Sequence, residues 1–240
     1  MKFGLIGKGL SHSYSKGFFE EFFSKNKIDA IYDNISLEDI SEFEYKKDLY
    51  QGFNVTSPYK ESIIPFLGSL SQEAKRIGAV NCIKNDNGTL KGYNTDYYGF
   101  MYSLKPLLLP EDQNALILGS GGASKAVSAV LSDLNIKHII VSREGRKNIL
   151  SYKELAREIV EQHSLIINTT PLGMYPNCEN FPNIPYQFLG EKHLCFDLIY
   201  NPPETEFLRQ SKAMGARTQN GLEMLHRQAI KSMEIFELNP

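Results

Sequence analysis

The sequence has few cysteines, no excess of charge of one sign and no long apolar run, and each shortage excludes a class of protein. Its three cysteines, Cys82, Cys178 and Cys195, form no CxxC pair, which excludes a disulfide scaffold and predicts reduced thiols. The five histidines show no i,i+4 pair, so no metal site is expected. With 26 basic and 28 acidic side chains, the chain lacks the basic field that nucleic-acid binding requires.

The apolar segments are also too short for a membrane protein. The N-terminal apolar run is soon followed by Lys8, which predicts no secretory signal, and no stretch approaches the about 18 apolar residues of a spanning helix. The 240 residues, 42% of them apolar and 22% charged, suffice for one large domain or two small ones. We therefore expect a globular, cytoplasmic protein with neither a membrane nor a nucleic acid as partner.

Short β-rich runs alternate with helical stretches in both halves of the chain. The first half has predicted strands at residues 2–6, 30–35, 52–56, 79–84 and 90–93, and helices at 15–25 and 71–77. Two prolines and an acidic pair between residues 104 and 112 indicate a domain boundary. Beyond it, strands at 114–118, 137–142, 164–168, 194–198 and 216–218 alternate with helices such as 123–134 and 152–161, and the tail is helical. The fold class is therefore α/β, and its second half is a parallel sheet wound with helices.

A glycine-rich loop joins the strand at 114–118 to the next helix. Gly119 permits a tight turn, Gly121 lacks the Cβ that would block a pyrophosphate, and the helix N-terminus supplies free N–H groups. Ser124 occupies the third glycine position of this fingerprint. The arrangement predicts a dinucleotide site, with a purely structural turn as the alternative.

The end of the following strand bears on the choice of cofactor. The predicted strand at 137–142 ends at Ser142. At this position an NAD-selective enzyme usually has a carboxylate that binds the ribose 2′-hydroxyl. Here Arg143, Arg146 and Lys147 follow instead, and they would attract a 2′-phosphate. NADP is thus the predicted cofactor. The alternative is that these three basic side chains are solvated surface charges, and Glu144 in the same loop weakens the NADP prediction.

Four polar motifs follow predicted strands of the first half, at residues 11–15, 54–60, 79–81 and 94–96. Strand ends gather ligand-binding side chains in open α/β sheets, and hydroxyl and amide groups suit a polyhydroxylated small molecule. Lys60 and Asp96 are the evident proton carriers among them. Taken singly, each motif has an ordinary structural explanation, such as Ser13 capping a helix or Lys60 being a surface charge.

The polar motifs and the glycine-rich loop occur along the chain in an order that resembles the shikimate dehydrogenase family, and the resemblance covers nearly the whole chain. The resemblance rests on Ser13 and Ser15 and on segments 54–60, 78–81, 94–96, 119–124, 168–174, 197–205 and 221–229. It implies an NADP-linked enzyme of aromatic amino-acid biosynthesis that converts 3-dehydroshikimate and shikimate. It also implies an α/β substrate domain with a mainly parallel sheet (1–104), a Rossmann-like NADP-binding domain (105–219) and C-terminal helices (220–240) that return to the first domain.

The resemblance assigns roles to individual residues. Lys60 and Asp96 would be catalytic. The implied substrate ligands are Ser13, Ser15 and Tyr200 for the carboxylate, and Thr56, Asn81, Asp96 and Gln228 for ring hydroxyls. The implied cofactor ligands are Gly119, Ser120, Gly121, Gly122 and Ala123 at the pyrophosphate, Ser142, Arg143 and Arg146 near the 2′-phosphate, and Asn168, Thr169, Leu198 and Gly221 at the nicotinamide.

The direction of the reaction, its substrate and its cofactor each have alternatives. A charged lysine is a ready acid, which favours reduction of 3-dehydroshikimate as the working direction. The alternatives are a relative that acts on quinate or uses NAD, and a non-catalytic sensor of shikimate-like ligands. Lys16, Cys82, Ser142 and Glu144 depart from the residues usual in the family. We expect a monomer or a homodimer.

Overall fold

The computed structural model describes residues 1–10 and 13–238, and the chain divides into two compact units. The first unit comprises Met1–Tyr98 and Gln228–Pro240, and the second comprises Gly99–Arg227. Each unit contains one six-stranded sheet. The sequence predicts domain boundaries after residues 104 and 219, whereas the chain passes from one compact unit to the other after Tyr98 and Arg227. The predicted boundaries stay a prediction.

The sheet of the first unit is mixed. Its strands are β1 (Lys2–Gly7), β2 (Ile31–Ser36), β3 (Gly52–Val55), β4 (Ser69–Leu70), β5 (Cys82–Asp86) and β6 (Thr89–Tyr93), in the order β2-β1-β3-β5-β6-β4. β1 runs parallel to β2 and β3, and β6 runs parallel to β4, whereas β5 is antiparallel to both its neighbours. The unit also contains α1 (Tyr14–Lys25), α2 (Gln72–Ile77) and the start of α3 (Thr95–Leu104).

Helix α1 covers one face of this sheet with aromatic side chains. Ser13 begins the helix, and its hydroxyl accepts the Lys16 N–H at 3.4 Å. Phe19 and Phe23, one helical turn apart, are both buried. The Phe19 ring stacks on Tyr32 with 4.4 Å between centroids. Phe19 and Phe23 are therefore part of the core of the first unit.

The sheet of the second unit is entirely parallel. Its strands are β7 (Asn114–Leu118), β8 (Lys137–Ser142), β9 (Ile149–Ser151), β10 (Leu165–Asn168), β11 (Leu194–Asp197) and β12 (Arg217–Gln219), in the order β9-β8-β7-β10-β11-β12. Counted along the chain, this is the order 3-2-1-4-5-6 of dinucleotide-binding sheets. The helices are α4 (Gly122–Asp133), α5 (Arg157–Gln162) and α6 (Glu206–Ala213), and α7 (Leu222–Ile235) begins here and ends in the first unit.

The central strands of the second sheet are apolar in sequence because both of their faces are buried. Residues of β7, β10 and β11 such as Leu116, Ile166 and Cys195 are fully buried, because helices cover both faces of a parallel sheet. The strand order reverses between β7 and β10, where Leu118 pairs with Asn168. Ligands of open α/β sheets bind at the carboxyl ends of strands beside such a reversal. The topology thus predicts a ligand site at the loops after Leu118 and Asn168.

Two segments of the second unit differ from the sequence-based expectation. Residues 152–161 do not form one helix: Tyr152–Glu154 is a 3-10 turn, and α5 begins at Arg157 after the extended Ala156. The parallel strands β8 and β9 are joined by only six residues, 143–148. Two hydrogen bonds between Arg146 and Ile149 close this connection as a tight turn, whereas parallel neighbours usually need a helical crossover.

The described residues contain no helix with the length and apolar character needed to cross a bilayer. The same part of the chain contains no group of three or more His, Cys, Asp or Glu side chains placed to hold a metal ion.

Candidate active site

Lys60 and Asp96 form an ion pair in the first unit. Lys60 Nζ donates to Asp96 Oδ2 at 2.6 Å, and the two side chains are 16% and 8% exposed. Lys60 lies in the turn after β3, and Asp96 lies in the first turn of α3, where the helix dipole favours a carboxylate. A lysine held by a carboxylate but still reached by solvent is suited to give a proton to a bound oxygen and recover it from water.

Asn81 holds the other oxygen of the same carboxylate. Its Nδ2 donates to Asp96 Oδ1 at 2.9 Å. The orientation of this amide is determined, because the Thr95 backbone N–H can only donate and lies 2.6 Å from Asn81 Oδ1. The amide NH₂ must therefore face Asp96. Both oxygens of Asp96 are engaged, one by Lys60 and one by Asn81.

The remaining predicted ligands of the first unit are half-buried hydroxyl and amide side chains. Ser13 and Ser15 lie at the start of α1, where helix N–H groups and the helix dipole favour a carboxylate. Thr56 follows β3 and approaches β1 so closely that a Cβ on Gly7 would lie 2.6 Å from its methyl group. Gln228 Oε1 accepts the Thr95 hydroxyl at 3.2 Å, which joins it to the Asn81 and Asp96 group. Ser11 and His12 of the first motif lie outside the described residues.

The glycine loop of the second unit has the geometry of a phosphate cradle. Gly119 has φ +110°, and a Cβ there would lie 2.7 Å from Thr169 Oγ1, so only glycine fits. Gly121 is the N-cap of α4, no side chain caps that helix, and no atom lies within 4 Å of where a Gly121 Cβ would be. Ser120 is exposed, and Gly122 and Ala123 form the first turn. These residues fit a dinucleotide pyrophosphate, which needs uncapped N–H groups and close backbone approach.

The predicted 2′-phosphate residues share the short connection after β8. The Ser142 hydroxyl donates to the Glu144 carbonyl at 2.5 Å, which fixes the start of the loop. Arg143, Arg146 and Lys147 are exposed beyond it. In dinucleotide-binding sheets the adenosine ribose lies at the end of this strand. The strand order therefore predicts that a bound 2′-phosphate would lie near these cationic side chains.

A buried carboxylate organises the loops at the ends of β10 and β11. Asp197 accepts hydrogen bonds from Asn168 Nδ2 at 3.0 Å, from the Ile199 N–H at 3.0 Å and from the Thr205 hydroxyl at 2.6 Å. Burial raises the pKa of Asp197 to about 6, although the three hydrogen bonds act in the opposite direction. Asn168 Oδ1 in turn accepts the Thr170 N–H at 3.0 Å. The carboxylate thus fixes the loop that begins at Asn168.

Leu198, Tyr200 and Gly221 lie at the end of β11 and the start of α7. The Gly221 N–H donates to the Ile199 carbonyl at 2.9 Å, and a Cβ on Gly221 would overlap the Leu198 carbonyl oxygen. Glycine is therefore required for the chain to pass this strand end. Leu198 and Tyr200 are half-buried beside it.

Comparison with known proteins places this arrangement in a family. The model of the shikimate dehydrogenase substrate binding domain matches residues 5–83. A shikimate dehydrogenase (NADP⁺) of Clostridium perfringens (strain SM101 / Type A) is 40% identical over 98% of this chain and 91% of its own length. The chain belongs to the shikimate dehydrogenase family.

Solved structures agree over the whole fold. Shikimate dehydrogenase 1 of Peptoclostridium difficile is 41% identical, with a TM-score of 0.87 over 100% of this chain and 92% of its own. Quinate dehydrogenase of Corynebacterium glutamicum, solved in complex with NAD, has the same TM-score of 0.87 at 25% identity, over 100% of this chain and 94% of its own. The same fold is therefore found in a protein named for quinate and solved with NAD.

Some of the residues predicted from the sequence are joined to one another within each unit, and Tyr200, a predicted substrate ligand, lies in the second unit with the predicted cofactor ligands. In the first unit, Lys60, Asp96, Asn81 and Gln228 are joined by hydrogen bonds through Thr95. In the second, the glycine loop and Asn168 meet at the strand-order reversal, and the cationic side chains follow β8. The ligand-binding roles themselves stay predictions.

Sequence reasoning gave no role to Asn54, Thr95, Asp197 or Ser232, all of which are buried and hydrogen-bonded. A signal existed for Ser232, which lies on the same side of α7 as the buried residues Ala229 and Met233. A polar residue in such a stripe requires hydrogen-bond partners.

Proposed function

We propose that this chain is a shikimate dehydrogenase that reduces 3-dehydroshikimate to shikimate with NADPH in aromatic amino-acid biosynthesis. The observation that carries the proposal is the Lys60–Asp96 ion pair, held by Asn81 and lying in the unit that also contains the serine pair. Family membership and the NADP⁺-linked relatives support both the reaction and the cofactor.

The first unit supplies the substrate ligands in this proposal. Ser13 and Ser15 bind the carboxylate at the start of α1. Thr56, Asn81, Asp96 and Gln228 bind ring hydroxyls, because hydroxyl, amide and carboxylate groups can donate to or accept from a hydroxyl; Asn81 and Gln228 are joined to Asp96 by hydrogen bonds, directly and through Thr95. Tyr200 is a further carboxylate ligand by resemblance.

The second unit supplies the cofactor ligands. The residues 119–123 hold the pyrophosphate, Ser142, Arg143 and Arg146 hold the 2′-phosphate, and Asn168, Thr169, Leu198 and Gly221 line the nicotinamide. The open space at Gly121 and the uncapped start of α4 support this assignment.

Reduction of a ketone needs a hydride at carbon and a proton at oxygen. NADPH, when bound, supplies the hydride. Lys60 in its ammonium form donates the proton to the carbonyl oxygen and becomes a neutral amine. Asp96 orients the Lys60 Nζ at 2.6 Å, and the partial exposure of the lysine lets it regain a proton from water.

A quinate dehydrogenase, or an enzyme that uses NAD, is the second candidate. The quinate dehydrogenase that shares the fold at 25% identity and Glu144 beside the basic cluster favour it. Quinate differs from shikimate by one hydroxyl and ring saturation, so the same polar set can bind either acid. Kinetics with the two acids and the two cofactors distinguish these enzymes.

The decisive assay follows NADPH absorbance after 3-dehydroshikimate is added to the purified chain. We expect a fall that needs both compounds. Shikimate binding by calorimetry without any turnover would instead identify a non-catalytic sensor and overturn the proposal.

We also propose a cytoplasmic location and a monomer or homodimer. Light scattering after size exclusion measures the oligomeric state.

A further inference from the structure

A chain of buried polar groups lies behind Asp96 in the first unit. Thr95 Oγ1 lies 3.2 Å from the hydroxyl of Ser232 on α7. Asn54, at the end of β3, donates from Nδ2 to the same hydroxyl at 2.9 Å. Ser232, Thr95 and Asn54 are 0%, 1% and 5% exposed. The Ser232 hydroxyl therefore connects α7 to both β3 and α3.

The direction of these hydrogen bonds can be deduced from their partners. The Ser232 hydroxyl donates to the Gln228 carbonyl, one turn earlier in α7, at 2.9 Å. Its oxygen is then available to accept from Asn54. The Asn54 NH₂ also faces the Asn81 carbonyl at 3.4 Å, and its Oδ1 accepts the Tyr32 hydroxyl at 2.8 Å. The orientations of Ser232 and Asn54 are thus consistent with each other.

A second buried helix serine, in the second unit, provides a comparison for the hydroxyl contacts of Ser232. Ser211 of α6 is 0% exposed, its hydroxyl donates to the Phe207 carbonyl at 2.8 Å, also one turn earlier, and it contacts the Cys195 thiol of β11, as Ser232 contacts the Cys82 thiol. Ser232 makes the same contact within its helix and, in addition, contacts Asn54 and Thr95 on two other elements. The additional contacts are those that reach the Asn81 and Asp96 group.

We propose that Ser232 is a positioning residue for the substrate. Its hydroxyl fixes the rotation of α7 against β3 and α3, and so holds the Gln228 side chain beside Thr95, Asn81 and Asp96. The inference rests on the proposed function, in which Gln228 binds a ring hydroxyl. The hydrogen-bond partners of the Ser232 hydroxyl lie in the first unit with the proposed ring-hydroxyl ligands, so its effect falls on substrate binding.

Ser232→Ala tests this inference, with Ser211→Ala as the matched control. Removing the Ser232 hydroxyl leaves the Asn54 amide poorly paired, and we expect the KM for shikimate to rise about tenfold while kcat changes less than about threefold. The KM for NADP should not change. Ser211→Ala loses the same hydroxyl–carbonyl contact and should keep the wild-type KM for shikimate. A KM for shikimate that is unchanged in Ser232→Ala overturns the inference.

Calorimetry with shikimate separates this inference from the proposed function. If the wild type binds shikimate but shows no turnover, the proposed activity is wrong, and weaker binding by Ser232→Ala still supports the positioning role. Ser232→Cys, kept reduced because Cys82 lies beside Ser232, preserves the side-chain volume but weakens the hydrogen bonds. It serves if the alanine variant does not fold. A folded cysteine variant with wild-type affinity for shikimate contradicts the role.

Discussion

Single side chains in the proposed substrate site are oriented by groups that can only donate or only accept. The Thr95 N–H determines the orientation of Asn81, and Asn81 together with Lys60 determines that of Asp96. Because these partners are buried, removing one leaves another polar group unpaired, which costs more than the lost hydrogen bond. Individual substitutions should therefore have sharply different effects on binding and on turnover.

Lys60→Ala should stop proton transfer without removing the substrate ligands. We expect kcat to fall by a factor of about 10² to 10⁴, with shikimate binding little changed. Steady-state kinetics and calorimetry measure the two effects separately. Lys84→Ala removes a surface ion pair with Glu237 in the same unit and should leave kcat unchanged. Near-normal turnover in Lys60→Ala would rule out the catalytic role.

Arg143→Ala should reveal whether the basic cluster binds the 2′-phosphate. A charge-assisted contact to phosphate is lost only with NADP, so the KM for NADP should rise about tenfold while that for NAD changes little. Arg157→Ala, which removes an exposed arginine paired with Glu161, is the control. Equal changes for both cofactors would show that Arg143 does not distinguish them.

Among the elements, the junction of β7 and α4 contains two glycines that are required for different reasons. Gly119 has a positive φ and lies against Thr169, whereas Gly121 has φ −89° and faces open space. The first is needed to form the turn, and the second is needed only if a ligand approaches the backbone. Alanine at each position distinguishes the two reasons.

Gly119→Ala should lower the free energy of unfolding by about 1 to 3 kcal/mol, because the new Cβ adopts a strained φ and meets Thr169. Gly121→Ala should leave the free energy of unfolding within about 0.5 kcal/mol of wild type and weaken NADP binding. Urea denaturation and calorimetry with NADP measure the two quantities. Unchanged NADP affinity in Gly121→Ala would contradict a pyrophosphate at this loop.

Elements with strong local signals were predictable from the sequence. The apolar runs of β7 and β10 and the capping serine of α1 predict those elements, because burial on both faces and helix capping leave clear patterns. The helix α6 and the tight turn between β8 and β9 were not predicted. The buried contacts of Ser232 with Asn54 were also beyond reach, since they join residues 178 positions apart in the chain.

For the molecule as a whole, stability should depend on the buried carboxylate of the second unit. The pKa of Asp197 is raised from its ordinary 3.8 to about 6, chiefly by burial. The folded chain therefore binds this proton more tightly than the unfolded chain does. The resulting stabilisation is fully present below the unfolded pKa and is lost as the pH rises through about 6.

Asp197→Asn should remove this dependence on pH. Between pH 4 and pH 7.5 the free energy of unfolding of the wild type, relative to the variant, should fall by about 2 kcal/mol. Urea denaturation across this range measures the difference. Asp86→Asn changes an exposed carboxylate and should follow the wild type. A constant difference between wild type and Asp197→Asn would show that the carboxyl does not titrate in this range.

The six-residue connection between β8 and β9 also bears on how the second sheet folds. Val141 pairs with Leu150, nine positions along the chain, whereas Ala115 of β7 pairs with Leu165 of β10, fifty positions along. The entropy of loop closure favours the nearer pair by about 1.5 kcal/mol. The edge that presents Arg143 and Arg146 can therefore assemble from local contacts, before the central strands that flank the glycine loop have met.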